Sequence, residues 1–177
     1  MKNEALQDRL SEEILEFIHS RKSLQLASLS KNQEAYASYA PFALGDNCIY
    51  VLLSDIAVHA INLKANPKAS ILIIEDEDSA EQLFARKRVN YSVEAKHIAH
   101  ESDGWQQGID TLADRLGPTS RHLSTLSDFK LFSLTVNTGR YVKGFGKAYA
   151  LKGPELAGSD LNHMRDGHQK REAQASA

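Results

Sequence analysis

Short segments with strand patterning, separated by turn signals, recur along most of this 177-residue chain. Alternating polar and apolar residues, or a short apolar run bounded by turns, are typical of β-strands. The predicted strands cover residues 22–29, 34–43, 49–53, 69–74, 85–99, 129–136 and 140–150. Because most connections are short turns, the spacing favours a closed or partly closed antiparallel barrel over a doubly wound sheet. We therefore expect a mainly β fold of six or seven strands.

Three segments have helical spacing, and we expect them to be inserted around and between the strands. They cover residues 5–20, 56–65 and 102–117. Ser54 or Asp55 is the expected cap of the second helix, which Asn66-Pro67 ends, and Gly117-Pro118 ends the third. A helical turn is also expected over residues 79–84. The last two strands are predicted to form a hairpin across Asn137-Thr138-Gly139.

The character of the chain changes near Leu151, where the apolar body ends and a polar tail begins. This divides the chain into one domain over residues 1–151 and a tail over residues 152–177. Such a tail cannot bury enough apolar area to order itself. It carries two of the seven histidines, His163 and His168. We therefore expect its order to come from docking, for example on a metal centre shared with the body.

Charge and hydropathy exclude several kinds of partner. The formal charge is −2, so no global field attracts the chain to nucleic acid or to an acidic membrane surface. There is no apolar run of about 18 residues that could span a bilayer, and the N-terminus lacks the apolar region of a signal peptide. The single cysteine, Cys48, lies in an apolar run and is interpreted as a small core residue. These features predict a cytoplasmic protein.

Motifs for common cofactors and metals are missing from the sequence. There is no G-x-G-x-x-G after a strand, no phosphate-binding G-x-x-x-x-G-K-[ST], no H-E-x-x-H and no C-x-x-C. The chain thus has no dedicated site for a nicotinamide cofactor or ATP. If the protein catalyses a redox reaction, we expect the electrons to come from an external donor.

Several segments, taken in order along the chain, resemble a known family. The segments are 24–28, 38–42, 59–63 ahead of 66–67, 82–88, 128–132, 142–149 and 167–168. The first three resemble the split-barrel fold of pyridoxamine-phosphate-oxidase-like flavin proteins. The others are similar to the haem-utilisation branch of that fold, the HugZ/HutZ-type haem-degrading proteins of bacteria. The resemblance extends from about residue 10 to residue 170, and the ordered set is more specific than any one segment.

The resemblance implies a homodimeric, FMN-binding-type split barrel that binds haem near the subunit interface. It implies that His168 is the axial ligand of the iron and that Asp128 hydrogen-bonds this histidine. The implied reaction is a reductive, O2-dependent opening of the porphyrin that releases iron and a biliverdin-type product. A haem carrier without enzymatic activity and an FMN-dependent oxidoreductase of the same fold are the alternatives.

The histidine and aspartate roles each have a rival interpretation in the residues themselves. A neutral imidazole is a good ligand for haem iron, but a lone histidine in a tail is usually a solvated surface residue. His163 is the competing ligand, and Asp160, His163, Asp166 and His168 together form a possible small metal cluster. Asp128 is either a residue at the start of a strand or a partner that orients the imidazole. Forty residues separate Asp128 from His168, so the sequence leaves open whether they belong to one chain.

Three further residues are candidates for cofactor binding. Arg88 is the preferred inward-facing partner for a haem propionate, because arginine grips carboxylates in a bidentate fashion, and a solvated position is the alternative. Lys143 is a second propionate candidate. His59 stands where flavin-binding relatives commonly have a lysine that holds the FMN phosphate. Histidine is a weaker, pH-dependent anion ligand, which argues against tight FMN binding, although His59 also suits a helix surface.

Overall fold

The structure of the protein, a computed structural model, describes residues 4–158 and 160–164. The helices of this part of the chain are α1 Glu4–Ser20, α2 Val58–Ala65, α3 Trp105–Leu116 and α4 Thr119–Ser124. Its strands are β1 Ser23–Leu29, β2 Ala35–Pro41, β3 Ala43–Gly45, β4 Cys48–Ser54, β5 Lys68–Ile74, β6 Arg88–Ile98, β7 Phe129–Gly144, β8 Lys147–Lys152 and β9 Asp160–Met164. Two short 3₁₀ turns, Glu77–Ser79 and Leu83–Ala85, connect β5 to β6.

All of these strands belong to one antiparallel sheet. The main order is β2-β1-β5-β6-β7-β4-β3, while β8 adds to β7 and β9 adds to β8. The first and last strands of this order, β2 and β3, are joined through the single residue Phe42. This short link holds the two ends of the sheet together, so the sheet curls into a split barrel. The antiparallel split-barrel fold expected from the sequence is confirmed.

The longest strand, β7, connects the two parts of the split barrel. Its 16 residues pair with β6 along one edge. Along the other edge, the first half pairs with β4 and the second half pairs with β8. The change of partner occurs at a β-bulge opposite Ser92 and Val93, where Asn137 is the extra residue. The split of the barrel therefore lies where β4 gives way to β8.

Side chains that point into the barrel form the main apolar core. In β6, Val89, Tyr91, Val93 and Ala95 are buried, and the side chains between them are exposed. This period of two follows from the pleat, which turns successive side chains to opposite faces. Full burial of a valine or an aromatic side chain contributes about 1.5–3 kcal/mol, so this row fixes the register of the strand.

The helices pack against the barrel. Ile14, Phe17 and Ile18 of α1 join the main core. α3 packs on the other face of the sheet and forms a second cluster, which consists of Ala43, Cys48, Tyr50, Trp105, Ile109, Leu112 and Leu131. Cys48 is a free, buried thiol in this cluster, as the sequence predicted. Among the described residues, no helix is both long and apolar enough to cross a bilayer.

The predicted hairpin turn at Asn137-Thr138-Gly139 is wrong. These residues lie inside β7, and the turn to β8 falls at Phe145 and Gly146, where Gly146 has φ +65°. The turn-like composition instead marks the bulge and a close contact. A Cβ atom on Gly139 would lie 2.6 and 2.8 Å from carbons of the Tyr91 ring. Gly139 is thus explained by the close contact between β7 and the Tyr91 ring, and not by a turn.

The number of strands also exceeds the six or seven expected. The predicted strand over residues 34–43 is interrupted at Phe42, and β9 was not predicted at all. β9 pairs with β8, with Leu161 opposite Leu151, so the described part of the tail extends the sheet. Tyr91 donates a hydrogen bond to the Leu156 carbonyl and holds the connecting segment. The division of the chain at residue 151 stays a prediction.

The expected cap of the second helix is corrected as well. α2 begins at Val58 behind Ala57, and no side chain caps its first turn. The Ser54 hydroxyl accepts a hydrogen bond from the Ile56 amide at 3.3 Å and donates to Asp128. The Ser54 hydroxyl therefore links the end of β4 to Asp128, just before β7, and does not cap α2.

The contact between Gly139 and Tyr91 predicts a specific stability defect. Gly139→Ala should destabilise the protein by about 1–3 kcal/mol, because the added methyl overpacks a fully buried ring. Gly144→Ala is the matched control in the same strand, since its nearest atom is Lys147 Cδ at 3.9 Å. It should change stability by no more than about 0.5 kcal/mol. Urea unfolding measures both, and equal effects of the two substitutions would contradict the packing argument.

Candidate functional site

Asp128 lies immediately before β7, beside the end of β4. The Asp55 amide donates to the Asp128 carbonyl at 2.7 Å, and Ser54 is in register with Phe129. The Ser54 hydroxyl donates to Asp128 Oδ2 at 2.6 Å. No other described residue donates a hydrogen bond to the Asp128 carboxylate. The carboxylate is half-buried and is held through one oxygen, so the other oxygen can accept a further N–H donor.

A broad groove opens next to Asp55, between α2, the end of β6 and the first half of β7. Its volume is about 1000 Å³. Lys64 Nζ contacts Asp55 Oδ1 at 2.5 Å, and Lys130 Nζ lies 3.7 Å from Asp55 Oδ2. His97 lies in the same wall and packs against Phe132, with the ring centroids 5.5 Å apart and the rings tilted by 51°. Burial lowers the pKa of His97, and the charges of Lys64 and Lys130 lower it further.

His59 projects from the first turn of α2 toward β2. Its Nδ1 lies 3.0 Å from Ser38 Oγ, and the Ser38 hydroxyl donates to the Leu26 carbonyl at 3.2 Å. A serine hydroxyl carries a single proton, so His59 Nδ1 must be the donor in this contact. Nε2 then carries the lone pair. Burial lowers the pKa of His59, so the ring stays neutral near pH 7.

Arg88 and Lys143 lie at the other end of the sheet, but they point to opposite faces of it. Arg88 is in register with Val142, the residue before Lys143. Because Val89 is buried, Arg88 lies on the outer face of β6, so the inward orientation expected for it is wrong. Arg88 Nη1 donates to the Arg86 carbonyl at 2.8 Å.

Lys143 is held by a carboxylate from α1. Lys143 Nζ donates to Glu13 Oε2 at 2.7 Å, and Tyr141 donates to Glu13 Oε1 at 2.6 Å. Burial alone would raise the pKa of Glu13, but these two hydrogen bonds outweigh it and lower that pKa overall. Burial and the Glu13 carboxylate raise the pKa of Tyr141. Lys143 is therefore already paired with Glu13 and is not a free cation.

The structure does not bring all the predicted site residues together within one chain. Asp128 precedes the first residue of β7, and Lys143 is one residue from its end. Fourteen residues of extended chain separate Asp128 from Val142, which is roughly 45 Å at about 3.3 Å per residue. A barrel strand tilted by about 45° still advances roughly 30 Å along the axis over that length. One porphyrin cannot contact both ends of β7 in the same chain.

The tail ends its described course near Arg88 and not near Asp128. In β9, Met164 pairs with Ala148, and Ala148 pairs with Val142. His163 Nε2 lies 2.9 Å from the Gly146 carbonyl, which requires Nε2 to be the donor. His168, Asp166 and the side chain of Asp160 lie outside the described residues. Within the part of the chain that is described, no three His, Cys, Asp or Glu side chains are placed to hold a metal ion.

Sequence reasoning missed Ser54 as the residue that holds Asp128, and it missed the Lys64, His97 and Lys130 wall. The pairing of Ser54 with Asp128 joins residues 74 positions apart. Only the register between β4 and β7 brings them together. A strand ending in a polar residue, as Leu53-Ser54-Asp55 does, is the one local signal that could have pointed to this end of the sheet.

Comparisons with known proteins agree with this fold and length. The family profile of pyridoxamine 5'-phosphate oxidase matches residues 10–143. The chain is 45% identical over 170 residues to the heme oxygenase HutZ of Vibrio cholerae, covering 96% of each protein. A crystal structure of V. cholerae HutZ, described as the heme storage protein, matches with TM-score 0.68 and 39% identity over 84% of this chain and 98% of that one. Campylobacter jejuni ChuZ matches with TM-score 0.83 and 29% identity over 96% and 68%.

The environment of His59 predicts how stability depends on pH. Its pKa in the folded protein is below the ordinary value of 6.5, so the unfolded chain binds the proton more tightly. The contribution of His59 to stability is therefore full above pH 6.5 and is lost as the pH falls through the folded-state pKa. His59→Asn does not titrate and keeps an N–H donor for Ser38. Urea unfolding between about pH 7.5 and about pH 5.5 should show a steeper loss for the wild type, whereas parallel profiles would contradict this account.

Proposed function

Since this chain belongs to the HutZ-type branch of the pyridoxamine 5'-phosphate oxidase family, we propose that it binds haem and degrades it in a reductive, O2-dependent reaction. The products are iron and a biliverdin-type tetrapyrrole. The observation that carries this proposal is the near full-length likeness to a heme oxygenase. We place the reaction in the cytoplasm, where reductants are available and the buried Cys48 thiol stays reduced.

The donors in the structure fit a haem with a histidine ligand. The free oxygen of Asp128 suits the N–H of an axial imidazole, whose other nitrogen then faces the iron. Arg88 is the preferred partner for a propionate, and Lys143, which Glu13 already binds on the opposite face, is the second candidate. Both cations lie near the point where the chain leaves β9 toward His168. This set supports haem binding through His168, Asp128, Arg88 and Lys143.

The geometry favours a site built from two subunits. His168 follows Met164 by four residues, so the covalent chain limits its reach to about 14 Å from Met164. Asp128 lies at the far end of β7, well beyond that reach. We therefore propose that His168 pairs with Asp128 of the partner subunit, while Arg88 and Lys143 come from the chain that supplies His168. The proposal thus takes the two-chain option of the choice that the sequence leaves open.

An exposed apolar surface supports a homodimer. It consists of Tyr36, Ile56, Val58 and Ile61, of which Ile56 is 82% exposed. The hydrogen bond between Ser38 and His59 joins β2 to α2, and Tyr36 lies on the same face of β2 as Ser38, so Tyr36 lies on the side of the strand that faces α2. Monomeric proteins rarely leave a contiguous apolar surface of this kind in water. We propose that it is covered by the partner subunit.

In the proposed reaction, the chain binds, orients and shields, and the porphyrin carries the redox chemistry. Bound haem supplies the O2-binding iron and the ring that is opened. His168 holds the iron, and Asp128 of the partner subunit accepts the imidazole N–H and fixes the ring orientation. Ser38 holds His59 through Nδ1, so the unprotonated Nε2 can accept a proton. The electrons come from an external donor.

A haem carrier is the second candidate function, because a structure of V. cholerae HutZ is described as that of a heme storage protein. The FMN alternative has less support in the structure. The neutral His59 replaces a lysine cation, and a neutral imidazole is a weak partner for a phosphate. A yellow protein with flavin absorbance on purification would favour the FMN alternative.

The haem proposal predicts a stable spectrum for hemin bound to the wild type and its loss when ascorbate and O2 are added. A carrier would keep the porphyrin intact under the same conditions. His168→Ala should shift the Soret band and lower hemin affinity by more than the about 10–100-fold typical of losing a ligand's hydrogen-bond partner. His163→Ala is the matched control in the same tail. If His163→Ala has that effect and His168→Ala does not, His168 is not the ligand.

The two-subunit site predicts complementation between variants. Asp128→Ala and His168→Ala dimers should each lose haem degradation. After subunit exchange, a mixed dimer has one site with both wild-type residues, so about a quarter of all sites should recover. The initial rate of Soret decay measures this recovery. A mixture no more active than the average of the separate variants would place both residues in one chain.

A further inference from the structure

Ser54 holds Asp128 in a way that the main chain alone does not. The β4–β7 pairing fixes the backbone of Asp128 through the Asp55 amide, at 2.7 Å from the Asp128 carbonyl. That bond leaves the side chain of Asp128 free to rotate about its own torsions. The Ser54 hydroxyl, 2.6 Å from Asp128 Oδ2, restricts this rotation. A hydrogen bond to an ionised carboxylate is among the stronger ones in proteins.

The direction of the Ser54 hydroxyl is itself determined. Ser54 Oγ accepts from the Ile56 amide at 3.3 Å, which occupies one lone pair of the oxygen. Its single proton is then directed at Asp128 Oδ2. Ser54 thus connects the Ile56 amide, in the loop before α2, to the Asp128 carboxylate through two hydrogen bonds. With Oδ2 occupied, Oδ1 is the oxygen presented to a further donor.

We propose that Ser54 is a positioning residue for the haem reaction. It fixes the Asp128 carboxylate so that Oδ1 stays available to the imidazole N–H of the ligand in the proposed haem site. This inference rests on the proposed function. Ser54 acts on the haem only through Asp128, by setting how well the carboxylate is aligned with the imidazole. A well-aligned carboxylate makes the imidazole a stronger donor to iron.

The test uses full-length, hemin-loaded protein and two readouts, hemin affinity and the iron–histidine stretching frequency of the ferrous form. Ser54→Ala should lower the stretching frequency toward that of Asp128→Ala. It should also lower hemin affinity, by less than the about 10–100-fold typical of losing the carboxylate itself. Ser54→Thr keeps the hydroxyl and should restore both values. Ser102→Ala removes a hydroxyl that donates to the Ala99 carbonyl at 2.6 Å outside the site, and it should change neither.

A double-variant cycle separates action through Asp128 from a general structural effect. In an Asp128→Ala background, Ser54→Ala should leave the stretching frequency and hemin affinity unchanged. A full effect of Ser54→Ala in that background would overturn the positioning role. If Asp128→Ala shifts the frequency and Ser54→Ala does not, this inference fails while the proposed function stands. If the wild type binds no hemin, both fail.

Discussion

The change of partner along β7 is the constraint on which the rest of the structure depends. A single 16-residue strand stays paired with β6 while its other edge passes from β4 to β8. The bulge at Asn137 absorbs the mismatch, and Gly139 lets the strand pass close to Tyr91. Because β7 stays one continuous strand through the bulge, its two ends lie far apart. The candidate groups at those ends therefore cannot serve the same porphyrin within one chain.

Each end of β7 carries a charged group that the chain already holds in place. At the first end, Ser54 fixes Asp128 through one oxygen and leaves the other oxygen available. At the second end, Glu13 binds both Tyr141 and Lys143 and ties α1 to the strand. Such fixed groups lose little conformational freedom when a ligand arrives. In the proposed dimer, the Asp128 end of β7 in one chain would lie beside the Lys143 end of β7 in the other. Each end would then contribute groups that are already held in position.

The sequence predicts the fold class better than it predicts the site. The alternation in β6 and the helical spacing of α1 and α3 are strong local signals, and the structure has all three elements. Asn137-Thr138-Gly139 misled because bulges and close contacts select the same residue types as turns. β9 has too little apolar patterning to be recognised without its partner β8. Ser54 and Asp128 meet only through strand register, which no local pattern encodes, and the role of His168 stays a prediction that came from the family resemblance.

The pairing of β9 with β8 has a consequence for the entropy of ligation. Without that pairing, the proposed ligand His168 would be tethered 12 residues after Leu156, which Tyr91 holds, whereas pairing moves the last fixed point to Met164, four residues away. Loop-closure entropy grows with the logarithm of tether length, so the shorter tether saves about 1 kcal/mol on closing the coordination bond. In the proposed haem site, backbone hydrogen bonds that do not contact the ligand would thus raise the effective concentration of the histidine at the iron. Substitutions that weaken β9 would lower the affinity of the proposed site for haem iron without changing any coordinating group.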